Sequence, residues 1–574
     1  MGSTPLRPCE VDMRIAGSSR RSLAVGGSAA AIATLCLIIE ACGGKHAAES
    51  PTTNPVVREN QQPGSDAWQF WRQGLSIADD ATGQIKGYAS ATSVAHGEAL
   101  TLFVTVRPPQ PYTIDLYRLG WYGGAGGRLV AAIGPLDGSP QAPCPVNAET
   151  GLIACDWSPS YELRVPDDWL SGVYIAVLRN EGRFASFVTF VVRDDTRAAD
   201  LLFQQSVTTY QAYNLYPDDG KTGKSLYPKS YGAKTVSGET RAVAVSFDRP
   251  YAGRGDGQLL FWEIHLLRWL ERTGYDVIYA TDVDTHERGE RLRQVKAFLS
   301  VGHDEYWSRE MRDAVEAARG AGTSLVFAGA NEAYWQVRFA PSSHGARYRI
   351  MLCAKEATLD PGQGDRTTVR WRDPPVGRAE QALVGIQYGE IIAGGIGGVY
   401  APYVVQNSGH WIYAGTGLAD GDTIPGIVGY ETDREHAEYP LPATREESRA
   451  ILSRSPYVSF AGTPATGESA IYQAPSGAWV FAAGTIGWSL GLDDLGDQAH
   501  DDSRLQRITA NVLDRMIGHR VFSGTARIRD RDAARPAAAA APLVVRPVTK
   551  ERTSDIGRSV NQEPAVHADH RPRQ

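Results

Sequence analysis

Between residues 66 and 195 apolar side chains recur at short, partly alternating spacing, and turn residues break the pattern at regular intervals. The runs 99–106, 112–118, 172–178 and 186–192 are rich in β-branched and aromatic residues. Ala95-His96-Gly97, Pro108 to Pro111, Gly123 to Gly127 and Asn180-Glu181-Gly182 separate them. Short strands with this punctuation predict an antiparallel β-sandwich of the immunoglobulin-like type over 66–195. Trp121 and Trp157 are read as packing residues, with a sugar-stacking platform as the alternative. After Asp194-Asp195 the period changes. Short apolar runs at 199–203, 275–280, 297–301, 323–328 and 479–483 read as buried strands. Helical spacing covers 259–272, ending at Gly274, then 309–319, stopped by Gly320, and 504–517. Strand and helix in alternation predict a three-layer α/β domain with a mostly parallel sheet over 196–521. The Gly- and Pro-rich stretch 350–430 reads as an insertion or edge structure.

The two ends lack such patterns. Arg14, Arg20 and Arg21 precede an uncharged apolar run from Leu23 to Ile39, followed by Ala41-Cys42-Gly43. This order reads as a secretory signal over 1–42 and predicts a periplasmic or extracytoplasmic location. Ile39-Glu40-Ala41-Cys42 is similar to a lipoprotein processing box, in which Cys42 is lipidated and anchors the chain to a membrane; an uncleaved anchor helix is the alternative. Residues 43–65 are polar and read as a flexible tether, and 522–574, with a poly-Ala run at 537–541, as a disordered tail. A length of 574 residues is compatible with two domains, and 42% apolar with 21% charged residues is ordinary globular composition. A net charge of -7 argues against a nucleic-acid partner.

Outside the leader, Cys144 and Cys155 bracket a polar loop in a chain read as exported, so a loop-clamping disulfide is expected. Cys353 lies among apolar residues and reads as a small buried side chain. In a parallel sheet ligands gather beyond the carboxyl ends of the strands. That rule selects Gly302-His303-Asp304-Glu305-Tyr306-Trp307, Thr209-Tyr210-Gln211-Ala212-Tyr213-Asn214, and Gly329-Ala330-Asn331-Glu332. His303 and Glu305, two apart on a tight turn, suit a general base or a metal site; the alternative is that they cap the following helix. Tyr210, Tyr213, Tyr216 and Tyr227 either pack by their rings or offer phenol oxygens to a hard, high-valent cation. The loop 220–224 lacks Walker spacing.

These segments, with Ser225-Leu226-Tyr227, Asp248-Arg249-Pro250, Arg272-Thr273-Gly274-Tyr275-Asp276-Val277 and Tyr117-Arg118-Leu119-Gly120-Trp121-Tyr122-Gly123-Gly124, resemble the large (beta) subunit family of N,N-dimethylformamidase. The resemblance covers 66–520. It implies a hydrolase of an amide C–N bond with a mononuclear ferric iron held by two tyrosines and a glutamate, and a histidine beside them. Carried over, Glu305 and Tyr227 are ligands, Tyr213 is favoured over Tyr210 as the third, and His303 is the catalytic histidine. Asn331 and Glu332 would support them from behind. The family enzyme works with a small subunit that this sequence does not contain. The expected partners are a small amide substrate and, in one arrangement, further copies of the chain. Two rival readings are a catalytically silent envelope protein that binds glycan or protein, and a carbohydrate-active enzyme using acidic residues.

Overall fold

The computed structural model describes residues 54–522 apart from 446 and 497–499. The expected signal over 1–42, with Cys42, the start of the tether and the tail from 523 lie outside the described residues. Among those described, the chain is sheet-rich and multidomain, with several sheets and few helices.

Gln110–Leu119 pairs antiparallel with Gly127–Gly138 and with Gly172–Asn180, which in turn pairs with Phe184–Arg193. A second sheet of Ile85–Ala89, Ala99–Val106 and Tyr161–Arg164 faces it. Between them lie Leu100, Leu102, Val104, Ile114, Leu116, Ala176, Leu178, Val188 and Phe190. The neighbouring positions Tyr117, Leu119, Val173, Ile175, Val177, Phe187 and Val191 are buried too, packed with Leu201, Phe203, Leu266, Leu270 and Tyr279. Both faces of these strands are therefore covered, which is why their alternation in the sequence is only partial. Cys144 and Cys155 form a disulfide at the edge of the sandwich. Trp157 packs on Tyr88, and Trp121 lies under Arg268 and Arg272 at 5.0 and 5.1 Å. Both tryptophans serve packing.

The larger sheet has seven strands. Val277–Thr281, Leu201–Gln205, Ala297–Gly302, Ser324–Gly329 and Trp479–Ala482 lie side by side in parallel. Pro464–Gln473 and Ala450–Val458 extend it antiparallel. Alternate residues bury on opposite faces: Phe203, Leu299, Val301 and Val326 with the helices Ile264–Thr273 and Ser503–Ile517, and Leu202, Phe298, Leu325 and Phe327 with Arg309–Ala321. Gly274 ends the first of these helices at φ 85°, as its sequence suggested. The helix Arg309–Ala321 runs past Gly320 and stops at Gly322, whose φ of 107° only glycine adopts freely.

Two expectations are corrected. Residues 54–65 are not a tether: Asn54 caps the helix Pro55–Glu59, Val56 is buried in the main core, and Asn60 Nδ2 donates to Glu271 Oε2 at 2.8 Å. A polar segment is ordered here because its few apolar residues and amides find partners on another element. The stretch 350–430 is also more regular than its composition suggests. Gln387–Ile391 pairs with Glu431–Arg434, and Ala401–Val404 with Thr423–Val428.

Candidate active site

Three neighbouring parallel strands end on one side of the sheet, and their exits supply the site. Ala297–Gly302 ends in a sharp turn at Gly302, φ 72°, where a Cβ would lie 2.5 Å from the Cβ of Trp262. Only glycine fits this bend, which turns His303, Asp304 and Glu305 back over the strand ends. The Glu305 amide donates to Thr209 Oγ1 at 3.0 Å, while its carbonyl accepts from the amides of Tyr334 and Trp335. The turn is held from both sides. A short strand, Tyr306–Ser308, separates it from the helix Arg309–Ala321, and Ser308 caps that helix. His303 and Glu305 therefore do not act as caps.

Leu201–Gln205 leads into the helix Val207–Tyr213, whose last residue faces the turn. Tyr213 Oη donates to Glu305 Oε2 at 2.9 Å, and Tyr227 Oη approaches the same oxygen at 3.0 Å. The two phenol rings stack with centroids 4.2 Å apart. Tyr227 Oη also shares a hydrogen bond of 2.5 Å with Tyr306 Oη, and Lys355 Nζ sits 3.7 Å above its ring. Tyr210 is turned away: it is buried edge-on to Tyr251, and burial, followed by the nearby Glu263, pushes its phenol well up. Tyr216 packs with Tyr88 and Trp157. The helix geometry thus selects Tyr213, three positions beyond Tyr210, as the tyrosine that meets Glu305.

His303 is 1% exposed, with Nε2 at 3.2 Å from both Glu305 Oε2 and Glu431 Oε2. These are ion-pair distances without hydrogen-bond alignment. Burial opposes the charged imidazole, but Glu431 and Glu305 outweigh it and push His303 up to about 10. Burial likewise acts to raise Glu305, yet His303 brings it below the usual carboxylate range, assisted by Lys355 and Tyr213. Asn331, held at φ 59°, donates from Nδ2 to Glu431 Oε2 at 3.0 Å and from its amide to Asp433 Oδ1 at 2.8 Å. Glu332 points to a different place: Ser300 Oγ lies 2.7 Å from its Oε2 and 2.7 Å from Asp304 Oδ2, behind the turn.

The structure thus brings Tyr213, Tyr227, Glu305, His303 and Asn331 together and sets Glu332 one layer back. Sequence reasoning missed Glu431 and Asp433, which lie just beyond the stretch 350–430 read as an insertion or edge structure. The alternating Tyr430-Glu431-Thr432-Asp433 was the available signal. Among the described residues no three His, Cys, Asp or Glu side chains form a metal-holding group. The donor set here depends on phenols: two phenol oxygens and a carboxylate meeting within 3.0 Å fit a hard cation of high charge.

A buried imidazole between two carboxylates, with phenols beside it, thus lies at the ends of parallel strands, where ligands gather in such sheets. The chain belongs to the N,N-dimethylformamidase beta subunit-like, C-terminal family, whose model matches residues 113–502. It is 25% identical over 445 residues to the N,N-dimethylformamidase beta subunit of Alcaligenes sp, covering 64% of this chain and 55% of that one. It is 26% identical over 263 residues to the subunit of the same name from Paracoccus aminophilus, covering 40% and 32%. The chain therefore spans about half the length of the first of these relatives and a third of the second. Among solved structures, the sulfur carrier protein SoxY from Chlorobium limicola f thiosulfatophilum matches at a TM-score of 0.13 and 14% identity, over 22% of this chain and 94% of that one; so low a score carries no argument.

Proposed function

We propose that the chain is an exported, iron-dependent hydrolase that cleaves the C–N bond of a small amide; its relatives are named as beta subunits of N,N-dimethylformamidase. One observation carries this reading: Tyr213 and Tyr227 bring their phenol oxygens to within 3.0 Å of one Glu305 oxygen, beside a histidine held between two carboxylates. The site sits on what we read as a three-layer α/β domain. Tyr213, Tyr227 and Glu305 would hold a ferric ion, and such an ion supplies Lewis acidity toward an amide carbonyl.

The remaining work falls to this chain's own groups. As a water oxygen adds to the amide carbon and the C–N bond breaks, His303, lying between Glu305 and Glu431, passes a proton from Nε2 to the departing amine nitrogen, a poor leaving group until protonated, and recovers one from the water. Glu431 keeps the imidazole oriented when Glu305 is engaged elsewhere, and Asn331 fixes Glu431. The rings of Tyr213 and Tyr430, at 5.1 and 5.9 Å from the imidazole, wall it from bulk water. So enclosed a cluster suits a small substrate. The disulfide between Cys144 and Cys155 supports export to an oxidising compartment. Since the relatives are named as beta subunits, we extend the proposal to an assembly with a second subunit or further copies of the chain.

The direct test is release of amine from N,N-dimethylformamide and related formamides by the purified protein, loaded with iron or stripped of it. Turnover that requires iron and falls about 10²–10⁴-fold in His303→Ala, with metal content unchanged, is the expected result. Absence of amide turnover by the iron-loaded protein would favour the silent envelope-binding reading.

A further inference from the structure

The two sequence segments Ala212-Tyr213-Asn214 and Asp248-Arg249-Pro250 have so far had no joint role. In the structure they close on each other. Arg249 is 1% exposed, and among the described residues no carboxylate bonds it. Its guanidinium instead reaches four neutral acceptors: Nε donates to Gln211 Oε1 at 3.3 Å, Nη1 to the carbonyls of Tyr216 at 3.3 Å and Lys224 at 2.9 Å, and Nη2 to the carbonyl of Asn214 at 3.0 Å. Asn214 answers from the other side. Its Nδ2 donates to the carbonyl of Pro250 at 2.9 Å, and its Oδ1 accepts from the amides of Tyr216 and Ala252 at 3.1 and 3.0 Å.

Burying a guanidinium without a counter-charge is unfavourable, so charge pairing does not explain the residue. Geometry does. A rigid fan of five donors is the one side chain able to collect carbonyls from residues 214, 216 and 224 at a single point. Those carbonyls lie at the two ends of the loop that begins after Tyr213 and ends just before Tyr227. The Leu226 amide donates to the Ala212 carbonyl at 2.9 Å and completes the closure.

We propose that Arg249, together with Asn214, is a positioning residue that latches both ends of this loop, so that the Tyr213 and Tyr227 phenols already face Glu305 before any ion arrives. The inference rests on the reading of these tyrosines as ligands, yet half of its test does not need iron. Arg249→Lys keeps the charge and loses the fan; Asn214→Ala removes the opposite side of the latch and serves if the first variant fails to fold.

In the full-length, metal-free protein, hydrogen–deuterium exchange over 211–227 accelerates in both variants, while exchange in Ala297–Gly302 stays as in the parent. Iron affinity, measured by competition with a chelator, falls by about 10–100-fold, as expected for loss of a group that orients a ligand. Parent-like exchange over 211–227 in the folded variants overturns the latch. If the parent itself binds no iron, the functional reading fails, and the exchange experiment alone still decides whether the latch exists.

Discussion

Tyr213, Tyr227, Glu305, His303 and Glu431 come from four separate segments, and both phenols meet Glu305 while His303 lies between Glu305 and Glu431. At this scale the two glutamates divide the work. Glu305 takes both phenols, whereas Glu431 touches His303 and Asn331. Glu431→Gln is therefore expected to leave iron content at the parent level and to lower amide turnover by about 10²-fold; loss of the metal in that variant would instead make Glu431 a ligand. The sequence made Glu305 and His303 legible because they follow directly on a buried apolar run, where strand-end chemistry gathers. Glu431 was hidden for the opposite reason. It lies in a small two-stranded sheet whose burial comes from distant partners, and the alternation at 430–433 is too short to announce it.

The helix Val207–Tyr213 is short, and its first turn is tied by buried carboxyl groups rather than by its own length. The Ser206 amide donates to Glu263 Oε1 at 3.1 Å and the Thr208 amide to Asp282 Oδ2 at 2.8 Å. Burial, above all, pushes Glu263 up to about 8 from an ordinary 4.5, so it is folded as a neutral acid at moderate pH. A group whose folded value is raised contributes stability that is complete below its unfolded value and lost as pH rises through the folded one. Glu263 therefore favours the folded state most below about 4.5 and loses that contribution by about 8. Glu263→Gln removes a loss on the order of a few kcal/mol. Thermal melts from pH 5 to 8.5 are expected to show the variant gaining on the parent as pH rises; a gap that stays constant with pH contradicts it. Such an element was only half legible. The sequence marked 209–214 by its tyrosines, but which of Tyr210 and Tyr213 turns toward the site follows from helical phase, and a seven-residue helix gives too few turns to read it.

The sandwich is joined to the larger sheet through a buried interface. Arg118, in the sandwich, pairs with Glu271 through both Nη atoms, at 2.8 and 2.6 Å, and neither side chain is exposed. Tyr279 and Asn60 bond the same carboxylate. Removing one member of such a pair leaves a buried charge uncompensated, so the two parts are held in fixed relation. Several strands of each part were readable because β-branched runs are set off by turn residues; the joint was not, since the same apolar positions serve a sandwich core and an interface equally well. The cover of both sheet faces, with seven strands behind the site, gives the rigid floor from which the three strand exits converge. What that floor supports is, on this account, a ferric ion between two phenols and a carboxylate. The most direct measurement is metal analysis with a visible spectrum on the purified protein after reconstitution with iron. About one iron per chain, with a phenolate-to-iron absorption band lost in Tyr227→Phe, is the predicted result; a protein that takes up no iron and stays colourless would contradict it.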